Sequence, residues 1–328
     1  MNDVMVTGGA GFIGSHLARR LAERGDRVRV LDNFSTGKRD NLADITDRVE
    51  VIEGDLRDLE TVRRAARGVR WILHQGALAS VPRSLADPVA CNDVNVGGTL
   101  NVLIAAKEES VDRVVFASSS SVYGNSEKSP KHEDDPTDPL SPYAVSKRVG
   151  EMYGGVFHGL FGVPFTAIRY FNVFGPYQDE KSAYAAVIPI FIRSLLAGER
   201  PTIFGDGTQS RDFTFISNVV DANLLALERP DAVGRILNVA CGGSYDLNHL
   251  VTVLNRLLGT DHEPVYEEPR AGDVKHSRAD IERARRLLGY EPKAGFEEGL
   301  ERTLDWYRRK IAAEEESFST GRGKNRSE

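Results

Sequence analysis

Short β-branched and aliphatic runs recur through the first half of the chain, spaced so that a helix fits between most of them. Val4-Met5-Val6, Arg27-Val28-Arg29-Val30-Leu31, Val49-Glu50-Val51-Ile52-Glu53, Val69-Arg70-Trp71-Ile72-Leu73, Val114-Val115-Phe116 and Pro164-Phe165-Thr166-Ala167-Ile168-Arg169 read as strands. Between them, Leu17, Leu21 and Ala22 mark one face of a helix ending near Gly25. Ala86 to Glu109 reads as a long helix interrupted near Asn95-Val96-Gly97-Gly98-Thr99, and another helix opens at Ser141 and runs to about His158. Strands alternating with helices imply an α/β fold with a doubly wound parallel sheet and right-handed crossovers. In such a sheet the carboxyl ends of the strands line the ligand crevice.

After Tyr170-Phe171-Asn172 the rhythm changes to longer loops, short strands and a separate helix from about Val187 to Ala197. Residues 1–172 therefore form one domain and 173–313 mainly a smaller C-terminal α/β lobe, with segments near 211–240 returning to the first domain. Among these, Ile236-Leu237-Asn238-Val239-Ala240 reads as another core strand. The charged, Ser/Gly-rich segment 314–328 is expected to be a disordered tail.

The first strand runs into Thr7-Gly8-Gly9-Ala10-Gly11-Phe12-Ile13-Gly14 and then a helix. Gly9, Gly11 and Gly14 satisfy the dinucleotide fingerprint, and the wider phase Gly8, Gly11, Gly14 fits as well. In either phase, backbone N–H groups and the helix N-terminus can approach a pyrophosphate. The next strand ends in Asp32, at the distance where an acid accepts hydrogen bonds from the adenosine ribose. That carboxylate would repel a 2′-phosphate, which favours NAD over NADP. Lys38 and Arg39 just downstream are read as solvated loop charges. His74 ends the fourth strand, and nothing near it in sequence suggests catalysis.

From Val114 the chain continues through Ala117-Ser118-Ser119-Ser120-Ser121-Val122-Tyr123-Gly124 and restarts as a helix at Ser141-Pro142-Tyr143-Ala144-Val145-Ser146-Lys147. Ser141 suits the N-cap and Pro142 the first helical position, so Tyr143 and Lys147 share one face. A free phenol titrates near 10, and bringing it to about 7 needs roughly 4 kcal/mol of differential stabilisation of the phenolate. The Lys147 cation, the helix N-terminus and a positively charged nicotinamide ring are the expected sources, with the strand-end serines as donors.

With 41% hydrophobic and 27% charged residues, the 328-residue chain is an ordinary globular composition. A net charge of -6 argues against nucleic-acid and anionic-membrane partners. Cys91 and Cys241 lie far apart without metal-ligand spacing and the seven histidines do not cluster, so no metal site is expected. Nothing at the N-terminus reads as a leader or a span, and a cytoplasmic location is expected.

These motifs together resemble the extended short-chain dehydrogenase/reductase superfamily, and within it the UDP-hexose 4-epimerases. The resemblance runs from Val4 to about Tyr307 through the Gly8 loop, Asp32-Asn33-Phe34, Gly54-Asp55-Leu56, the serine run, Tyr143/Lys147, Arg169-Tyr170-Phe171-Asn172, Arg211-Asp212 and Arg270-Ala271-Gly272-Asp273. It implies a Rossmann-like domain holding NAD through Gly8, Gly11, Phe12, Ile13, Gly14, Asp32, Asn33, Asp55, Leu56, Ala77, Asn95, Ser118, Tyr143, Lys147 and Tyr170. It further implies Tyr143 as the base, Lys147 as its cationic partner and Ser119, or a neighbour among Ser118 and Ser120, as the catalytic serine. The UDP-sugar would touch Ser80, Ser119, Ser120, Tyr143, Asn172, Val187, Phe204, Arg211, Arg270, Asp273 and Ser277. Arginine forks suit phosphate oxygens. The implied reaction removes the 4-hydroxyl proton and the C4 hydride, turns the 4-keto sugar over, and returns the hydride to its other face.

Related dehydratases carry Thr-Asp-Glu where this chain has Ser119-Ser120-Ser121. Uronate 4-epimerases have Arg-Pro-Asp-Met after the Gly-Pro, whereas Gly175-Pro176 is followed here by Tyr177-Gln178-Asp179-Glu180, so a neutral hexose is preferred. Decarboxylases and a non-catalytic NAD-binding sensor are the remaining alternatives. The resemblance places residue 277 at a wall of the sugar pocket, where a serine would leave room for a 2-acetamido group, so UDP-GlcNAc and UDP-GalNAc are expected substrates beside UDP-glucose and UDP-galactose. The resemblance also implies a homodimer through helices near 90–109 and 143–158.

Overall fold

The computed structural model describes residues 1–179, 186–269 and 274–323, with side chains through residue 313. In chain order, β1 (Asp3–Thr7) leads to α1 (Phe12–Glu23), β2 (Arg27–Asp32), β3 (Val49–Glu53), α2 (Leu59–Ala66) and β4 (Trp71–His74). Next come α3 (Val81–Ala86), α4 (Pro88–Asn92), α5 (Gly98–Glu108), β5 (Arg113–Ser119), α6 (Pro142–Phe161) and β6 (Phe165–Tyr170). The long helix expected over 86–109 is therefore broken: a π-helical turn, Asp93–Gly97, joins α4 to α5 at the position where two glycines lower helical stability.

The second half adds β7 (Val173–Phe174), α7 (Val187–Leu196), β8 (Thr202–Phe204), β9 (Ser210–Arg211), β10 (Thr214–Phe215), α8 (Ile216–Glu228) and β11 (Arg235–Val239). It ends with β12 (Tyr245–Asp246), α9 (Leu247–Leu258), β13 (Val265–Glu267), β14 (His276–Ser277), α10 (Glu282–Leu288) and α11 (Phe296–Gly323). The backbone of α11 is helical past residue 314, where the composition predicts disorder, as far as Gly323.

Seven strands form one sheet in the order β11-β6-β5-β4-β1-β2-β3, and every pairing in it is parallel. Two apolar clusters cover its faces. One joins Leu17 and Leu21 of α1 to Val4, Val6, Val30 and the α8 residues Val219 and Ala222. The other joins Met5, Leu31 and Phe116 to Val62, Val102 and Phe157. Fully burying a side chain such as Leu17 is worth about 1.5–3 kcal/mol. The sheet order reverses direction beside β1 and β4, which leaves the crevice at their carboxyl ends open to a ligand.

Candidate active site

The crevice begins at the glycine turn. Gly8 has φ +64, and a Cβ there would lie 2.6 Å from the Cα of Gly76, so this close approach of two strand ends requires glycine. A Cβ on Gly14 would stand 2.1 Å from the Gly8 carbonyl oxygen, which is how α1 packs down onto the turn. No side chain caps α1 at Gly11, which leaves its first N–H groups to the cleft. Gly8, Gly11, Phe12, Ile13 and Gly14 all line this cleft, whereas Gly9 packs beneath Val30, so the structure selects the wider glycine phase.

Asp32 closes the far end. Its carboxylate accepts from Ala10 N at 2.9 Å and Phe34 N at 2.8 Å, and burial holds its pKa above the usual carboxylate range. Asn33 donates to Asp55 at 2.9 Å, and the Arg57 fork holds the Asp55 carboxyl well below its ordinary value. Leu56, Ala77, Ser118 and Tyr170 line the same cleft of ≈ 310 Å³, which ends at Tyr143 and Lys147. Tyr170 donates to Asn223 at 3.0 Å, an α8 partner that sequence spacing could not supply. The cleft's uncapped helix start, bare glycine turn and terminal carboxylate fit a dinucleotide along its length.

Two expected cofactor contacts are engaged elsewhere. Asn95, on the π turn, accepts from Leu78 N at 2.8 Å and donates to Ser146 Oγ at 3.0 Å, clamping the loop that walls the cleft without lining it. Ser118 lines the cleft, but its hydroxyl donates to Glu151 at 2.6 Å. His74 is a satisfied strand-end residue: Thr7 Oγ1 lies 2.7 Å from Nδ1 and Thr99 Oγ1 3.0 Å from Nε2, and burial pushes its pKa down to about 3.

At the other end of the cleft, the Ser141 side chain accepts from Ala144 N at 3.1 Å with Pro142 opening α6, as the sequence predicts. Lys147 donates to Ala117 O at 2.8 Å with its ammonium 5.9 Å from the Tyr143 ring centroid, and the Ser119 side chain is the one beside Tyr143 that favours its ionised form. Of the three candidate serines, Ser119 is thus the one on the phenol. Burial pushes Lys147 down to about 8, which still leaves an ammonium at neutral pH. Burial raises the phenol's pKa, against the opposing influence of the Ser119 side chain, so the charge of a nicotinamide ring is the remaining expected source of acidity.

Two further chambers follow, of which the second adjoins Tyr143 through Ala144. The first, ≈ 370 Å³, is walled by Asn172, Val187, Phe191, Phe204, Arg211 and Phe213. The second, ≈ 440 Å³, is walled by Pro82, Ser120, Ala144, Asn172, Arg211 and Ser277. Asn172 and Arg211 are common to both. Asn172 adopts φ +37, and its Nδ2 is a buried donor with no partner within the described residues. Ser277 reaches the second chamber because β14 pairs with β9, Ser277 opposite Arg211. Ser80 is placed differently from expectation: it caps α3, accepting from Arg83 N at 3.3 Å, while its neighbours Val81 and Pro82 line the chamber. Arg270 and Asp273 lie outside the described residues. Among the described residues no group of three or more His, Cys, Asp or Glu could hold a metal ion.

A parallel sheet with a glycine turn at its switch point and a Ser-Tyr-Lys set at the end of the same cleft is the architecture of a dinucleotide-dependent enzyme. The NAD dependent epimerase/dehydratase family matches residues 4–240, and the chain belongs to it. The UDP-glucose 4-epimerase of Mycolicibacterium smegmatis is 39% identical over 310 residues, covering 93% of this chain and 98% of that protein. A solved UDP-N-acetylglucosamine 4-epimerase from Methanobrevibacter ruminantium, in complex with UDP-N-acetylmuramic acid, is 40% identical with a TM-score of 0.91, covering 94% of this chain and 99% of its own. The UDP-glucose 4-epimerase of Thermotoga maritima with UDP-glucose is 37% identical at a TM-score of 0.90, covering 94% and 99%. The resemblance read from the motifs holds along nearly the whole chain.

Proposed function

We propose that the protein inverts C4 of a UDP-hexose, acting on UDP-glucose/UDP-galactose and on UDP-GlcNAc/UDP-GalNAc, with NAD in the long cleft. The observation that carries this reading is the adjacency of cleft and chamber: Tyr143 and Lys147 end the cleft, while Ala144, next to Tyr143 in the chain, walls the chamber together with Ser120. Bound NAD supplies a reversible hydride acceptor. Within the chain, Tyr143 takes and returns the proton of the 4-hydroxyl, Ser119 donates to the oxygen that loses it, and Lys147 supplies the adjacent positive charge. Asn172 and Arg211 hold the diphosphate between the chambers, with Val187 and Phe204 against the nucleoside, so the sugar can turn over while its anchor stays fixed.

Water exclusion supports the same chemistry, since Lys147 is 4% exposed and Ser118 2%. The serine run offers no carboxyl group for eliminating water from the sugar, which speaks against a dehydratase. Incubating the purified protein with each UDP-sugar and reading product stereochemistry by NMR tests the proposal. Interconversion of C4 epimers is expected; unchanged UDP-hexoses in the presence of NAD would overturn it.

The same reading includes a homodimer. Val145, Met152, Val156 and Leu160 form an exposed apolar stripe on α6, beside exposed Leu85 and Val89 from α3 and α4. Two such surfaces bury one another as a four-helix contact. On α5, Val102, Leu103 and Ala106 are buried under the sheet, so the exposed large apolar residues of this flank come from α3, α4 and α6. No helix among the described residues is long and apolar enough to cross a membrane. Free Cys91 and Cys241 fit a reducing compartment such as the cytoplasm.

A further inference from the structure

Glu151 takes no part in the proton and hydride transfers, yet it is 3% exposed and its carboxylate accepts four hydrogen bonds. Arg169 Nε reaches Oε1 at 2.8 Å and Nη2 reaches Oε2 at 2.8 Å, a bidentate fork. Arg148 adds a bond to Oε2 at 3.0 Å, and Ser118 Oγ one to Oε1 at 2.6 Å. An ionised carboxylate is tolerated at such depth only with this kind of saturation. Three of the donors satisfy the charge, and the fourth ties it to the strand that carries Ser119.

The arrangement is a ladder. Tyr143, Lys147 and Glu151 succeed one another at single-turn intervals on α6, facing the last residues of β5. Their contacts are Ser119, the Ala117 carbonyl and the Ser118 hydroxyl. Behind the third rung, Arg169 stands on β6 opposite Ser118, and Tyr170 opposite Ser119. Apolar packing alone does not hold this register. Gly150 and Gly154 lie flat on the Phe116 and Phe165 rings, a contact that is tight but has no directional partner. Hydrogen bonds of fixed length supply the direction.

We propose that Glu151, locked by Arg169, is a positioning residue for the reaction: through Ser118 it fixes α6 against the end of β5 so that Ser119 stays on the Tyr143 hydroxyl. The proposal rests on the epimerase reading, so wild-type turnover of a UDP-hexose is measured first and tests that reading independently of any variant. The test compares Glu151→Asp and Ser118→Ala with the wild-type holoenzyme. Glu151→Asp keeps the charge but withdraws the carboxylate by one methylene; Ser118→Ala removes one hydroxyl and leaves the Glu151–Arg169 fork in place. Misplacement on the ångström scale costs up to about a hundredfold in rate, so kcat is expected to fall roughly ten- to a hundredfold with KM and bound NAD unchanged. Because the Ser119 side chain favours the phenolate, moving it away should also shift the rising limb of the kcat–pH profile to higher pH. Should Glu151→Asp fail to fold, Ser118→Ala decides alone. Wild-type kcat in the folded variant, or a fall in kcat with the limb unmoved, would overturn the proposal.

Discussion

Lys147 Nζ donates to the carbonyl oxygen of Ala117 at 2.8 Å, across a sequence separation of 30 residues. The ammonium is seated over the rings of Phe116 at 5.1 Å and Tyr143 at 5.9 Å, so its charge is held by a backbone atom against both aromatic faces. Replacing Lys147 with Met removes this charge at similar length, and replacing Tyr143 with Phe removes the proton acceptor. Each should lower kcat by about 10²–10⁴-fold, the usual contribution of general acid–base catalysis, while Tyr143→Phe keeps NAD. A rapid-quench assay with absorbance of the bound cofactor checks both, and undiminished function in Tyr143→Phe would point to a non-catalytic NAD sensor.

Gly14→Ala places a Cβ 2.1 Å from the Gly8 carbonyl oxygen, where backbone faces backbone and nothing flexible can yield. Overpacking of this kind costs about 1–3 kcal/mol. A lower urea midpoint together with weaker NAD retention is expected, measured by chemical denaturation and by titration calorimetry.

Stability should fall on acidification below the ordinary histidine range. His74 titrates at about 3 in the fold against 6.5 when free, because its ring is buried between Thr7 and Thr99. Between these values the unfolded chain holds the extra proton, so unfolding free energy rises with pH there and is lost as pH falls from 6.5 towards 3. The His74 contribution is on the order of 5 kcal/mol across the full window. Urea midpoints from pH 7 to 4 should decline in the wild type and decline less steeply in His74→Asn.

Ser277 stands with Ser120, Asn172 and Arg211 in the second chamber, which the proposed function assigns to the sugar. Tyrosine at 277 would fill the space a 2-acetamido group needs. Ser277→Tyr is expected to retain UDP-glucose turnover and to lose that of UDP-GlcNAc by at least tenfold, since a clash of a few atoms costs about 1–3 kcal/mol. Equal losses on both substrates would show that 277 does not wall the 2-position.

Met152 is 57% exposed at the centre of the apolar stripe on α6. Met152→Glu sets like charges against each other across a two-fold contact, and a halved mass by light scattering is expected with helix content unchanged.

The sequence by itself determined the architecture and the chemistry-bearing motifs, for a local reason. Strand ends, the glycine turn, the Ser141-Pro142 cap and the single-turn spacing of Tyr143 and Lys147 are written in consecutive residues, and backbone geometry converts them directly into position. Tertiary structure alone decided which serine stands beside the phenol, which glycine phase faces the cleft, and where Asn95 and Glu151 find their hydrogen bonds. Those outcomes depend on partners far along the chain: Ser118 is claimed by Glu151, itself locked by Arg169, Asn95 by Leu78 and Ser146, and Ser277 is carried to Arg211 by strand pairing. The direction of the Tyr143 shift belongs here too. Helical spacing sets the distance to a charge, but burial, which raises that phenol, is a property of everything folded around it.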